Sequence, residues 1–313
     1  MYILSLLAGL LLILFGADWL TDGAADVAKR FRMPEFVVGL TVIAIGTSTP
    51  ELAVSLLSTL NGQAEMAVGN VVGSNIFNVF AVVGICSLIS PIALTRNNIR
   101  RDIPIGAAVS LLLLACGYRG VITRPAGLAM LVLYAVYLWY TVHTSKPEVL
   151  TTPKPTKEVR EHNGWIVAVM ILGGLCALVG GGEMFVHGAT EVARKLGVSE
   201  SVIAITLVAG GTSLPELASS VVSLVKGHGE MALGNALGSC TANILMVLGA
   251  SAAARPLTFG TITVTDLYVV LASAVALFLS AFTFRRREID RWEGTLFVIF
   301  YTAYIAWLIK TGT

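Results

Sequence analysis

Residues Thr41 to Ala53 read TVIAIGTSTPELA, and residues Thr206 to Ala218 read TLVAGGTSLPELA. The two stretches lie 165 residues apart and agree at nine of thirteen positions. Each sets one glutamate, Glu51 or Glu216, inside an apolar run. The match continues at the same offset, where EMAVGNVVGSN (Glu65 to Asn75) pairs with EMALGNALGSC (Glu230 to Cys240). A carboxylate in a hydrophobic membrane segment is expensive, so an acid placed there marks a functional site by default. Two such acids related by an internal repeat point to a site where two halves of the chain meet.

Working outward, the 313 residues are 56% hydrophobic and 13% charged, with a mean hydropathy of +0.81. Soluble domains carry about 25% charged residues, so the polar surface needed to coat a water-soluble globule is missing. Ten hydrophobic segments can be drawn, at 2–20, 36–60, 66–90, 103–117, 125–143, 164–186, 200–225, 231–253, 267–283 and 294–310. Their lengths suit membrane-spanning helices, and the short alternating strands of a membrane barrel are absent. The first segment lacks the basic leader of a secretory signal and reads as a retained helix. The fold class expected is an all-α polytopic membrane protein.

One stretch stands apart. Between His143 and Asn163, prolines 147, 153 and 155 fall among lysines, glutamates and threonines, which forbids a spanning helix. It divides five segments from five. Five is odd, so two homologous five-helix halves must cross the membrane in opposite senses. The expected organisation is a first repeat over 1–143 (its motif region about 36–90), a linker over 144–163 and a second repeat over 164–313 (motif region about 200–253).

Charge placement sets the orientation. Lys29, Arg30, Arg32, Arg96, Arg100, Arg101, Lys146, Lys154, Lys157, Arg160, Lys226, Arg285, Arg286, Arg287 and Arg291 fall on one side of that topology; Arg119, Arg124, Arg194, Lys195, Arg255 and Lys310 fall on the other. By the positive-inside rule the richer side and the linker are cytoplasmic, with both termini outside. The basic clusters are topology signals; a nucleic-acid partner is not expected. An integral cell (inner) membrane location follows, with the bilayer as partner. The spacing is silent on oligomeric state, and a monomer suffices.

Pro50 and Pro215 interrupt the second and seventh segments, and the missing N–H frees carbonyls near Ala44 and Ala209. Thr47 and Ser48 lie four and three residues before Glu51, so on a helix they share its face; Thr212, Ser213 and Glu216 repeat the arrangement. In the third and eighth segments Asn70, Ser74 and Asn78, and equally Asn235, Ser239 and Asn243, recur every four residues as a polar stripe. Gly69 with Gly73, and Gly234 with Gly238, allow close helix approach. Each residue alone fits a packing role, but packing does not demand the same polar set twice. The donors are all oxygen, which suits hard cations such as Ca²⁺ rather than zinc or copper. Ser55, Ser58, Ser220 and Ser223 line an access path or back-bond to their own helix. Asp18 aligns with Glu183 as a rim candidate, while Asp22 and Asp26 face water or the basic loop. Cys86, Cys116, Cys176 and Cys240 have no metal-type spacing and read as apolar fillers. No nucleophile–base pair or aspartyl dyad stands out, so an enzyme is not expected.

GTSTPE with GNVVGSNIFN, and GTSLPE with GNALGSCTAN, resemble the paired α-repeats of sodium/calcium exchangers in the cation/calcium antiporter superfamily, of prokaryotic type. The resemblance covers nearly the whole chain; the linker is short, so the large cytoplasmic regulatory domains of animal members are not expected here. It implies ten helices in two inverted-topology repeats and Na⁺/Ca²⁺ antiport by alternating access. The ligands it implies are Ala44, Thr47, Ser48, Glu51, Ser74 and Asn78 from one half and Ala209, Thr212, Ser213, Glu216, Ser239 and Asn243 from the other. Na⁺ and Ca²⁺ are the transported partners, and no cofactor is implied. Well-known members carry an aspartate in one repeat where this chain has Asn78 and Asn243. Two carboxylates balance one Ca²⁺ or two Na⁺, and the expectation is exchange closer to electroneutral than in aspartate-bearing relatives. Ca²⁺/H⁺ exchange on the same scaffold remains an alternative, with a passive cation channel behind it.

Overall fold

The computed structural model describes residues 2–145, 162–198, 209–283 and 287–311. The chain is helical almost throughout. In order come α1 (Tyr2–Arg30), α2 (Glu35–Thr47), α3 (Thr49–Leu60), α4 (Ala64–Ile89), α5 (Ile103–Arg119), α6 (Arg124–Thr144) and α7 (Gly164–Lys195). After a short turn at Ala209–Gly211 follow α8 (Leu214–Val225), α9 (Gly229–Ala254), α10 (Val264–Ser280) and α11 (Arg291–Thr311). Among the described residues six helices are long and apolar enough to cross a membrane, and α2 with α3 makes a seventh if the bent pair is one span. The first part of the 200–225 segment and nearly all of the expected linker lie outside the described residues.

The bend has a local cause. Pro50 stands at the start of α3, where its missing N–H belongs to an unpaired first turn anyway, and Ser48 leaves helical geometry at φ −80°, ψ 5°. The axes of α2 and α3 turn by 42° there. Ser213 takes the same conformation (φ −93°, ψ 6°) before Pro215. One rule of chain chemistry thus breaks both halves at equivalent points.

The inverted repeat is visible in the packing of α1 against α7. A Cβ on Gly9 would meet Gly181 O at 2.7 Å, one on Gly16 would meet Gly174 O at 2.7 Å, and one on Gly188 would meet Tyr2 O at 2.8 Å. Residue numbers fall on one helix as they rise on the other, so the two run antiparallel. Gly174, Gly181 and Gly188 are Gly9, Gly16 and Gly23 moved by the repeat offset. A helix and its own repeat mate therefore cross head to tail on a shared glycine face, and only small residues permit that approach. Two tiny antiparallel sheets say the same. Ile92–Ala93 (β1) pairs with Glu288–Ile289 (β4), and Val121–Ile122 (β2) pairs with Leu257–Thr258 (β3). β1 moved by the offset is β3.

α4 and α9 sit at the centre, with 72% and 83% of their most apolar stretch buried, against 17% for α11. Outer helices turn Leu4, Leu11, Trp139, Trp165, Trp292 and Phe300 outward. An apolar surface of that extent belongs in lipid. At one end, Lys226 at the end of α8 pairs with Asp18 and Asp22 of α1, at 2.5 and 2.7 Å. His162 pairs with Asp26 at 2.7 Å, and His228 with Glu35 at 3.1 Å. The expectation that Asp26 faces water or the nearby basic loop is corrected: its carboxylate is buried and bound by the His162 ring.

Candidate ion-binding site

The breaks at Ser48 and Ser213 meet in the middle of the molecule, flanked by α4 and α9. Glu51 and Glu216 start the helices that leave the breaks, each in a first turn. A helix N-terminus favours a negative group, which helps these side chains stand in an apolar interior. Both are fully buried, as are Thr47, Ser48, Asn78, Ser213, Ser239 and Asn243. Ser74 is buried to within 1%.

The hydrogen bonds cross between the halves. Ser48 donates to Glu216 Oε1 at 3.3 Å, and Ser213 lies 3.2 Å from Glu51 Oε1. Each acid is thus held by the serine that precedes the other acid. Ser74 adds a contact to Glu51 Oε1 at 3.4 Å and lies 2.9 Å from Ser213 Oγ. Thr47 donates to Asn235 Oδ1 at 3.2 Å, and Thr212 to Asn70 Oδ1 at 3.3 Å. The threonines therefore tie each broken helix to the stripe of the opposite half. Asn70 Nδ2 reaches back to Glu51 O at 3.4 Å and Ser55 Oγ at 3.0 Å; Asn235 Nδ2 reaches Glu216 O at 3.2 Å and Ser220 Oγ at 2.9 Å.

Two features of the expected set differ from the spacing argument. The Ala44 carbonyl is not left bare, since it accepts the Ser48 N–H at 3.0 Å, with the Thr47 Oγ1 3.5 Å away; with the Thr47 proton on Asn235, one lone pair remains for another partner. The i−4 rule puts the carbonyl opposite each proline at Gly46 and Gly211 rather than at the alanines. Ala209 opens the short turn ahead of the second break.

The residues missed as part of the site are Asn70 and Asn235, read only as stripe members, and Asn75. Asn75 breaks the stripe's four-residue spacing, and its repeat mate is Cys240, so the doubled pattern hides it. Asn75 Nδ2 donates to Cys240 O at 3.2 Å, and Asn243 Nδ2 donates to Asn75 Oδ1 at 3.3 Å. Ser55 and Ser220 hold the asparagines rather than lining an open path. Asp18 is half-exposed and ion-paired with Lys226.

What remains unpaired is the informative part. Glu51 Oε2, Glu216 Oε2, both amide atoms of Asn78, Asn243 Oδ1 and Ser239 Oγ are buried with no hydrogen-bond partner among the described residues. Among the described residues no lysine, arginine or histidine pairs with either glutamate. Native interiors rarely leave such atoms unsatisfied, and an unpaired buried carboxylate is among the costliest groups to desolvate. Two acids and a set of neutral oxygens, shielded from water and lacking a protein cation, form a cradle that a positive charge completes. The π-helical turns Phe77–Val83 and Asn243–Val247 on α4 and α9 carry Asn78 and Asn243 of the cradle; such turns recur at functional positions.

The sequence matches the family described as "Sodium/calcium exchanger protein" over residues 1–143 and 166–310. It is 35% identical to a putative antiporter, CaxA, of Alkalimonas amylolytica, covering 95% of each chain. It is 33% identical to the sodium/calcium exchanger MaX1 of Methanosarcina acetivorans, over 96% of this chain and 97% of that one. The fold superposes on the sodium-calcium exchanger NCX_Mj, soaked with 2.5 mM Na⁺ and 0.1 mM Ca²⁺, with a TM-score of 0.84 at 32% identity and 97% coverage of both chains. The repeats, the crossed breaks and these likenesses place the chain in the sodium/calcium exchanger family.

Proposed function

We propose that this protein is a secondary antiporter that exchanges Na⁺ for Ca²⁺ across the membrane, with the ions held between Glu51 and Glu216. The observation that carries the reading is the pair of fully buried carboxylates, each with one oxygen bound crosswise by a serine and the other without a partner among the described residues. The likeness to MaX1 and NCX_Mj supports the choice of ions.

The carboxylates supply the charge. Ser48, Ser213, Ser74, Ser239, Asn78 and Asn243 supply neutral oxygens, with Thr47, Thr212 and the carbonyls of Ala44 and Ala209 at the edges of the cradle. Ca²⁺ takes 6–8 oxygens at about 2.3–2.6 Å, so this many donors suffices. Two glutamates balance one Ca²⁺ or two Na⁺, and a third Na⁺ leaves uncompensated charge in a low-dielectric site. The two ions then compete for one set of oxygens, and exchange is close to electroneutral. The chain threads the bilayer ten times in two halves, 1–143 and 164–313, with the 144–163 linker in the cytoplasm and both termini outside. The whole set of ligands lies within one chain, so a monomer carries the function, in the cell membrane, without cofactor or catalytic chemistry.

The test is radiolabelled Ca²⁺ uptake into proteoliposomes under separate Na⁺, H⁺ and K⁺ gradients. Uptake driven by an outward Na⁺ gradient, and lost in Glu51→Gln and Glu216→Gln, is the expected result. Uptake driven by a pH gradient alone would assign the protein as a Ca²⁺/H⁺ antiporter, and strong dependence on an imposed voltage would overturn the electroneutral reading.

A further inference from the structure

Asn78 and Asn243 occupy equivalent places in the two repeats, yet the protein holds them differently. Asn243 is bonded to Asn75, and the repeat mate of Asn75 is Cys240. The Cys240 carbonyl can only accept, so the end of the Asn75 side chain that lies 3.2 Å from it must be the amide nitrogen. That orients Asn75 Oδ1 the other way, where it can only accept. Asn243, 3.3 Å from that oxygen, must therefore offer its own Nδ2, and Asn243 Oδ1, buried and without a partner among the described residues, is left for the cradle. A backbone carbonyl thus fixes the polarity of two amides in series. Cys240 has no amide to offer. Its sulfur lies 3.8 Å from Asn75 O, and both polar atoms of Asn78 stay without a partner among the described residues.

We propose that Asn75 is a positioning residue that locks Asn243 as a carbonyl donor to the bound ion, while Cys240 leaves the Asn78 amide free to present either end. The proposal rests on the ion site described above. It assigns the two neutral amides unequal roles: Asn243 is pre-organised for a cation, and Asn78 must be turned by the ion itself. Pre-organised donors strengthen binding because their ordering is not charged against the ligand. A carbonyl held in place by one neutral hydrogen bond is worth about a tenfold change in affinity when released.

The experiment is a double-mutant cycle read as the half-saturating Ca²⁺ and Na⁺ concentrations of exchange, with maximal rate recorded separately. Asn75→Ala should raise the Ca²⁺ half-saturation about tenfold and leave the maximal rate largely intact. The effect should vanish in an Asn243→Ala background and persist in full in an Asn78→Ala background. The converse change, Cys240→Asn, completes the symmetry and should lower the Ca²⁺ half-saturation several-fold, but only while Asn78 is present. Asn75→Ala adding independently to both backgrounds, or Cys240→Asn acting without Asn78, would overturn the proposal. If Asn75→Ala does not fold, the Cys240→Asn pair of measurements decides alone. Ca²⁺ exchange that survives Glu51→Gln and Glu216→Gln would instead remove the ion site itself, a distinct outcome.

Discussion

Around α2 and α9, Gly39, Gly234 and Gly238 let the helices meet backbone to backbone. A Cβ added at Gly234 would stand 2.2 Å from Phe36 O, and one at Gly238 would stand 2.5 Å from Leu40 O. On α4 the repeat mates of those glycines, Gly69 and Gly73, meet only the Ile262 side chain at 3.2 Å, or nothing within 4 Å among the described residues. Among the described residues, Gly69, Gly73, Phe77, Gly210, Asp266 and Tyr304 line a cavity of about 180 Å³ on that side. The residues that seat against Gly234 and Gly238, Phe36 and Leu40, have as their repeat mates Ser201 and Ile205, which lie outside the described residues. The asymmetry that the described residues carry is between Asn75, which bonds Asn243, and its mate Cys240, which has no amide to offer Asn78. The difference teaches that two nearly identical repeats can present the same polar set and still hold it unequally, through a single side chain outside the repeated pattern.

The comparison breaks first if the two acids are not equivalent. Glu51→Gln and Glu216→Gln should each reduce Na⁺-driven Ca²⁺ flux by more than about 100-fold, since each removes half of the charge that offsets the ion's dehydration. Both variants should stay folded by gel filtration. Flux that falls in one and holds in the other would show that a single half binds the ion.

Next come the glycines. Gly238→Ala should destabilise the protein by about 1–3 kcal/mol through overpacking against Leu40 O, seen as a lower thermal midpoint in detergent. An unchanged midpoint would mean that α2 and α9 do not seat backbone to backbone at that glycine.

A smaller asymmetry lies between α1 and α8. Thr21 and Ser223 share a buried hydrogen bond at 3.0 Å. Their mates at the repeat offset are Val186 and Ser58, which cannot form one. Thr21→Val should therefore cost about 1 kcal/mol, and Val186→Thr should recover little. Chemical denaturation of both variants measures this directly. The smallest effect expected is that of Lys226→Gln. Lys226 bridges Asp18 and Asp22 at a wet rim, with those acids 50% and 45% exposed. Such pairs contribute at most about 1 kcal/mol and fade with salt. The loss should disappear when the thermal midpoint is read in high salt; a loss that persists would point to a structural role for this lysine beyond the ion pairs.

The sequence alone was enough for the membrane class and the inverted pairing of halves, and it singled out the two acids and their serines, which the structure brings together. These rest on composition, on parity and on a polar pattern repeated at one offset, all of which are properties of the chain read in one dimension. It could not show that Thr47 and Thr212 serve the asparagines of the opposite half, that Ala44 O already has a partner, or that Asp26 is buried against His162. Those outcomes depend on which helix from one half lies against which from the other, and contacts between residues 142 or 188 apart leave no local spacing to read. Asn75 is the clearest case. Its mate is a cysteine, so repetition conceals it, and only the meeting of α4 with α9 turns a backbone carbonyl into the atom that sets the direction of an amide inside the site.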